Sequence, residues 1–115
     1  MQPLPGEAIV AKQTNSAFIG TDLAEQLVAC GCDAVVYAGV LTNNSLEATV
    51  RMSGNLGFNS FVLSAGSWAV DISNSSGQQW HAEDVHFLSL ANMDGEYATV
   101  VDTNEISELV RQIGI

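Results

Sequence analysis

Basic residues are nearly missing from this chain: Lys12, Arg51 and Arg111 stand against thirteen acids, for a formal net charge of −10. So acidic a chain repels phosphate backbones and anionic lipid, and neither nucleic acid nor a membrane surface is expected as a partner. Charge of either sign is scarce, 14% of residues where about 25% is usual in soluble domains. A surface with so few charges implies cover by another subunit or by a further part of the same chain, and a homo-oligomer, dimer or higher, is expected. Cys30 and Cys32 are the two cysteines, too close in sequence to staple a fold and too few for a zinc site. Free thiols in a reducing cytoplasm are therefore expected. No apolar run approaches the roughly 20 residues of a membrane-spanning helix, and residues 1–7 lack the basic and apolar regions of a signal peptide. Asn74-Ser75-Ser76 then reads as a polar loop rather than a glycan acceptor.

What is present is apolar: hydrophobic residues make up 47% of the 115, which excludes intrinsic disorder. A chain of this length buries roughly two-thirds of the surface its unfolded form exposes, enough for a single domain over 1–115. Two element types alternate along it. A short apolar run predicts a strand over 7–11. Leu23, Leu27 and Val28 share one face of a helix over 21–30, with Thr21 as its cap and Gly31 at its close. The continuous apolar run 34–40 predicts a strand covered on both faces. A helix over 45–56, a strand over 60–64, a helix over 82–92, a strand over 97–101 and a helix over 103–112 capped by Thr103 complete the chain. Strict alternation argues for a Rossmann-like three-layer α/β/α fold with a mostly parallel sheet.

In such sheets, ligands bind beyond the carboxyl ends of the strands. Residues 12–20 and 39–45 have that address. In Gly39-Val40-Leu41-Thr42-Asn43-Asn44-Ser45, a strand ends, a tight turn follows and a helix opens. The unpaired amides of the first helical turn can hold an anion, including the oxyanion of a tetrahedral intermediate. A serine beside them needs a general base to become nucleophilic; the bland alternative for Ser45 is a helix cap. Lys12, the sole lysine, either serves this cleft or is an exposed strand-end residue. Arg51 reads as a structural ion-pair residue, and His81 and His86 as lying outside the cleft. Phe18 and Trp68 either line the pocket or pack in the core.

These residues resemble the isochorismatase-like cysteine hydrolases. The resemblance rests on Lys12 with Ser16-Ala17-Phe18 and Gly20-Thr21-Asp22-Leu23, then on Gly39-Val40-Leu41-Thr42-Asn43. Glu47-Ala48-Thr49-Val50-Arg51, Leu56-Gly57-Phe58, Glu83-Asp84-Val85-His86, Ser89-Leu90-Ala91-Asn92 and Gly95-Glu96-Tyr97-Ala98 continue it in order. It implies hydrolysis of a small amide C–N bond (as in nicotinamide, N-carbamoylsarcosine, maleamate or ureidoacrylate) or cleavage of the vinyl ether of isochorismate. It makes Lys12 the catalytic lysine and puts Ser45 where the family has its cysteine nucleophile. The amides of Leu41 and Ser45 would be oxyanion donors, with Phe18, Leu41 and Trp68 as substrate-binding residues. It also implies a non-proline cis peptide between Val40 and Leu41.

The chain departs from the family pattern in several places. The family's catalytic aspartate lies on a strand well before the lysine segment, and that strand, its helix and the usual metal-ligand histidines have no counterpart here. No cofactor or metal is expected. Met52-Ser53 stands where an Asp-Ala pair is usual, and Ser64-Ala65 where an acidic pair is usual. The expected function is that of an isochorismatase-family hydrolase-like protein. The alternative is an inactive pseudoenzyme that binds a small carboxylate or serves as a non-catalytic subunit.

Overall fold

A computed structural model describes residues 3–112. Its centre is a three-stranded parallel sheet in the order β1-β2-β5, built from β1 (Val35–Val40), β2 (Ser60–Trp68) and β5 (Thr99–Val101). Val62 and Val100 face α2 (Glu47–Asn55) and α3 (Ala82–Met93). The core on that side is Leu46, Val50, Val62, Leu90, Met93 and Ala98, with Tyr37 and Tyr97 packed against it. Strand side chains alternate between faces, so Phe61, Thr99 and Val101 point the other way, toward α4 (Thr103–Gln112). Helices on both faces of a parallel sheet are the α/β architecture expected from the alternating pattern.

The elements follow the sequence closely, with informative exceptions. No strand forms over 7–11. An extended run becomes a strand only by pairing, and among the described residues this one has no neighbour; Glu7 instead closes a turn on the Leu4 carbonyl (3.1 Å). β1 is not covered on both faces: Val36 and Val40 are 43% and 45% exposed. β1 is one of the sheet's two edges, and α4 packs mainly on β2 and β5. A short antiparallel hairpin, β3 (Ile72–Ser73) and β4 (Gln79–Trp80), flanks the polar loop expected at 74–76. Asn74 closes it, its Oδ1 accepting the Ser76 and Gln78 amides.

Helix ends diverge from expectation where two good capping residues compete. Asp102, not Thr103, caps α4: its Oδ1 accepts the Glu105 amide at 2.7 Å while Glu105 Oε1 accepts the Asp102 amide at 3.1 Å. This is a reciprocal capping box. α1 (Leu23–Ala29) starts after Asp22, with the Thr21 hydroxyl accepting the Leu23 amide (3.3 Å). Asp71 caps α3 from the hairpin, accepting the Ala82 amide at 2.7 Å. Cys30 and Cys32 are joined in a disulfide, so the expected free thiols are not found. Gly31 between them has φ +68°, and this left-handed turn, open to glycine, brings the two Cα atoms to 5.6 Å. No described helix is long and apolar enough to cross a membrane.

Candidate active site

β1 ends at Val40, and a single wide turn, Thr42–Leu46, carries the chain into α2. The turn is kinked before it runs into the helix: Asn44 has φ −126° and ψ −105°. Its position is set by a polar network on the α3 side. Thr42 Oγ1 lies 2.8 Å from His86 Nδ1, and Ser89 shares its one proton between Glu47 Oε1 (2.5 Å) and the Thr42 carbonyl (3.1 Å). Arg51 Nε donates to the other Glu47 oxygen at 2.8 Å, and its guanidinium stacks on Tyr97, 4.9 Å from the ring centroid. The Glu47 carboxylate holds the Arg51 pKa above its ordinary value. Thr42 and Ser89, nearly inaccessible to solvent, are fully paired, as buried hydroxyls must be.

Ser45 faces the opposite side of this turn and meets the lysine segment there. Lys12 Nζ donates to the Thr14 carbonyl (2.9 Å) and lies 3.5 Å from Ser45 Oγ. Ser45 Oγ in turn donates to Asn15 Oδ1 at 3.3 Å. An ammonium has three donors, so one N–H of Lys12 remains for a ligand. The segment is stitched to α2 by buried Thr49, whose hydroxyl accepts the Ala17 amide (3.0 Å) and reaches the Asn15 carbonyl (3.4 Å). Lys12, Ser45 and Thr49 line a cavity of about 300 Å³ with Tyr37, Gly39 and Val40.

The isochorismatase domain model matches residues 1–105. The chain belongs to the isochorismatase family. An uncharacterized isochorismatase family protein of Bacillus subtilis is 35% identical over 106 residues, 92% of this chain and 57% of that protein. The maleamate amidohydrolase of Pseudomonas putida is 31% identical over 111 residues, 96% of this chain and 47% of that enzyme. The crystal structure of an isochorismatase-family protein from Chromobacterium violaceum superimposes with a TM-score of 0.91 at 48% identity, over 96% of this chain and 57% of that one. The chain thus spans about half the length of the relatives it matches.

In this isochorismatase domain the cis peptide implied by the resemblance is present, between Val40 and Leu41. The structure brings Lys12 and Ser45 together across 33 positions of sequence. It does not bring Phe18, Leu41 or Trp68 into the lining of their cavity. Phe18 stacks on Phe58 with centroids 5.8 Å apart, Leu41 caps the wide turn through its carbonyl, and Trp68 is 60% exposed at the end of β2. Ser45 is not a helix cap, for its hydroxyl is turned to Asn15 and Lys12. Arg51 is the ion-pair residue expected, and His86 bonds to Thr42, 44 positions away on the wide turn.

Two residues that matter here escaped the sequence. Asn15 fills a variable place in the lysine motif, and Thr49 reads only as part of a helical pattern; neither position carries a spacing signal. Among the described residues, no group of three or more His, Cys, Asp or Glu side chains converges as a metal site. The polar groups around the cavity, an ammonium and hydroxyls, do not suit a divalent cation.

Proposed function

We propose that this domain carries a hydrolase-type site for a small amide bearing a carboxylate, with Lys12 as its electrostatic anchor and Ser45 at the nucleophile position. One observation carries the reading: an ammonium and a hydroxyl from distant parts of the chain meet at 3.5 Å on the turn after β1. Maleamate is the substrate class suggested by the Pseudomonas putida relative; a vinyl ether fits the same charge pattern. Lys12 attracts the substrate's anionic or carbonyl oxygen through its third N–H. The amides of Leu41 and Ser45 would be the oxyanion donors, as the family resemblance implies. Attack by Ser45 Oγ on the amide carbon requires a base to take the hydroxyl proton. Asn15 Oδ1, which accepts that proton's hydrogen bond, is an amide and cannot take it.

That last point favours a second reading, a pseudoenzyme that binds a small carboxylate at the same place, or a non-catalytic subunit. Exposed Val36, Val40 and Trp68 on the β1 side of the sheet support assembly as a homo-oligomer in either case. Incubation with maleamate, followed by ammonia release, separates the readings. Turnover abolished in Lys12→Ala supports the hydrolase. No turnover, but a rise in Tm with maleate that Lys12→Ala removes, supports the binder. Absence of both in the folded protein refutes the site.

A further inference from the structure

A second cavity, of about 410 Å³, opens on the other side of the wide turn, between the β3–β4 hairpin and α3. It shares no lining residue with the Lys12 cavity, and its size falls in the range of small-molecule sites. Ile72, Trp80, Val85 and Leu88 form its walls. The hairpin wall is built to stay: Ile72 and Trp80 are cross-strand partners, and Asp71 ties the hairpin to the first turn of α3.

The polar groups here have the opposite character to those around Ser45. Asn43, Glu47 and Asp84 line the cavity, and no lysine, arginine or histidine does. Glu47 is engaged at both oxygens, by Arg51 and by Ser89. Asp84 makes no side-chain hydrogen bond or ion pair among the described residues. Asn43 Oδ1 is buried and has no hydrogen-bond partner, a deficit that folded proteins rarely leave. The terminal amide torsion is soft, so a donor in the cavity can draw that oxygen toward it. Apolar walls that include an indole, a free carboxylate and an unmet acceptor are complementary to an N–H-rich cation on an apolar body.

We propose that this cavity binds a small organic amine, protonated at neutral pH and carried on an aromatic or branched alkyl body. Asp84 takes the ammonium, Trp80 and Leu88 take the body, and Asn43 Oδ1 takes a further N–H. The proposal is independent of the hydrolase reading, since Lys12 and Ser45 play no part in it. The probe is phenethylamine, with phenethyl alcohol and phenylacetate as neutral and anionic isosteres. The protein has two tryptophans, so Trp68→Phe leaves Trp80 as the reporter, read by fluorescence and by its indole N–H resonance. The expected result is saturable binding of the ammonium at about 1 mM or tighter, with the alcohol and the carboxylate at least about tenfold weaker. Asp84 is exposed, so Asp84→Asn retains the fold, which a matching melting curve verifies; it brings the amine down to the level of the alcohol. Three results overturn the proposal: no saturation of the Trp80 signal, equal binding of all three probes, or full affinity for the amine in Asp84→Asn.

Discussion

Replacing Thr49 by valine keeps the shape of the side chain and removes its hydroxyl. That hydroxyl accepts the Ala17 amide at 3.0 Å and reaches the Asn15 carbonyl at 3.4 Å, so it ties the lysine segment to α2. The longer contact is weak by geometry and contributes little. The shorter one leaves the Ala17 N–H without a partner in a half-buried place, which costs about 1–3 kcal/mol. Val50, on the same helix and fully buried, keeps the core packed, so the loss falls on the segment rather than on the whole domain. Hydrogen exchange at the Ala17 amide is therefore expected to speed up by roughly 5- to 150-fold, since 1.4 kcal/mol is about a factor of ten. Exchange at Val62 in the sheet stays within about threefold of wild type, apart from any change in global stability. If Lys12 is held at Ser45 through this stitch, maleate binding weakens in step with the exchange. Unchanged exchange at Ala17 in Thr49→Val refutes the idea that Thr49 fixes the lysine segment.

Gly54→Ala places a Cβ 2.8 Å from the Tyr97 Cα and carbonyl oxygen; overpacking of about 1–3 kcal/mol outweighs a helix gain of about 1 kcal/mol, and thermal melts should show a lowered Tm. Burial raises the Tyr37 pKa above 10.0, against the opposing hydrogen bond with Ser53. A raised folded-state value means that the folded protein holds this proton more tightly, so stability is intact below 10.0 and falls as pH rises through the folded-state value. Urea unfolding from pH 9 to 11.5 should show that decline and its flattening in Tyr37→Phe; an equal slope in both refutes it. Sedimentation equilibrium at micromolar concentration should show a dimer or larger assembly, and a monomer counts against cover of the Val36 and Val40 face.

Much of the fold was legible because runs such as Ala34-Val35-Val36-Tyr37 and Ser60-Phe61-Val62-Leu63 have few alternatives to sheet. What failed were statements about neighbours rather than about the segments themselves. Whether residues 7–11 form a strand depends on a pairing partner, and whether β1 is covered depends on how far α4 reaches. Asp71 as the cap of α3 lies eleven positions from the amide it accepts, beyond any local signal. At Asp102-Thr103 both residues are good caps, and Glu105 decides for Asp102 by closing the box. Lys12 and Ser45 were legible as a pair only through the family motif. Asn15, which receives the Ser45 proton, was not.

The polar chain through the core shows how one departure from the family pattern is accommodated. Tyr37 OH donates to Ser53 Oγ at 2.8 Å, and Ser60 donates to the Phe58 carbonyl at 3.0 Å. With the Ser60 proton committed, the 2.6 Å contact between the two serines must carry the Ser53 proton. The hydroxyls therefore run in one direction from Tyr37 to a backbone carbonyl, and all are satisfied. Ser53, standing where alanine is usual, is thus held by partners on β1 and β2. The same logic applied to Ser45 gives a different result. Its proton also ends on a neutral oxygen, that of Asn15, and the neighbouring ammonium is a donor rather than an acceptor. A chain that terminates on amides and carbonyls fixes a hydroxyl in place without activating it. Any catalysis at Ser45 must therefore begin with a base that displaces the Asn15 hydrogen bond, and Asn15→Asp is the substitution that supplies one. If that variant folds normally, binds maleate and still releases no ammonia from maleamate, lack of a base is not what limits this site.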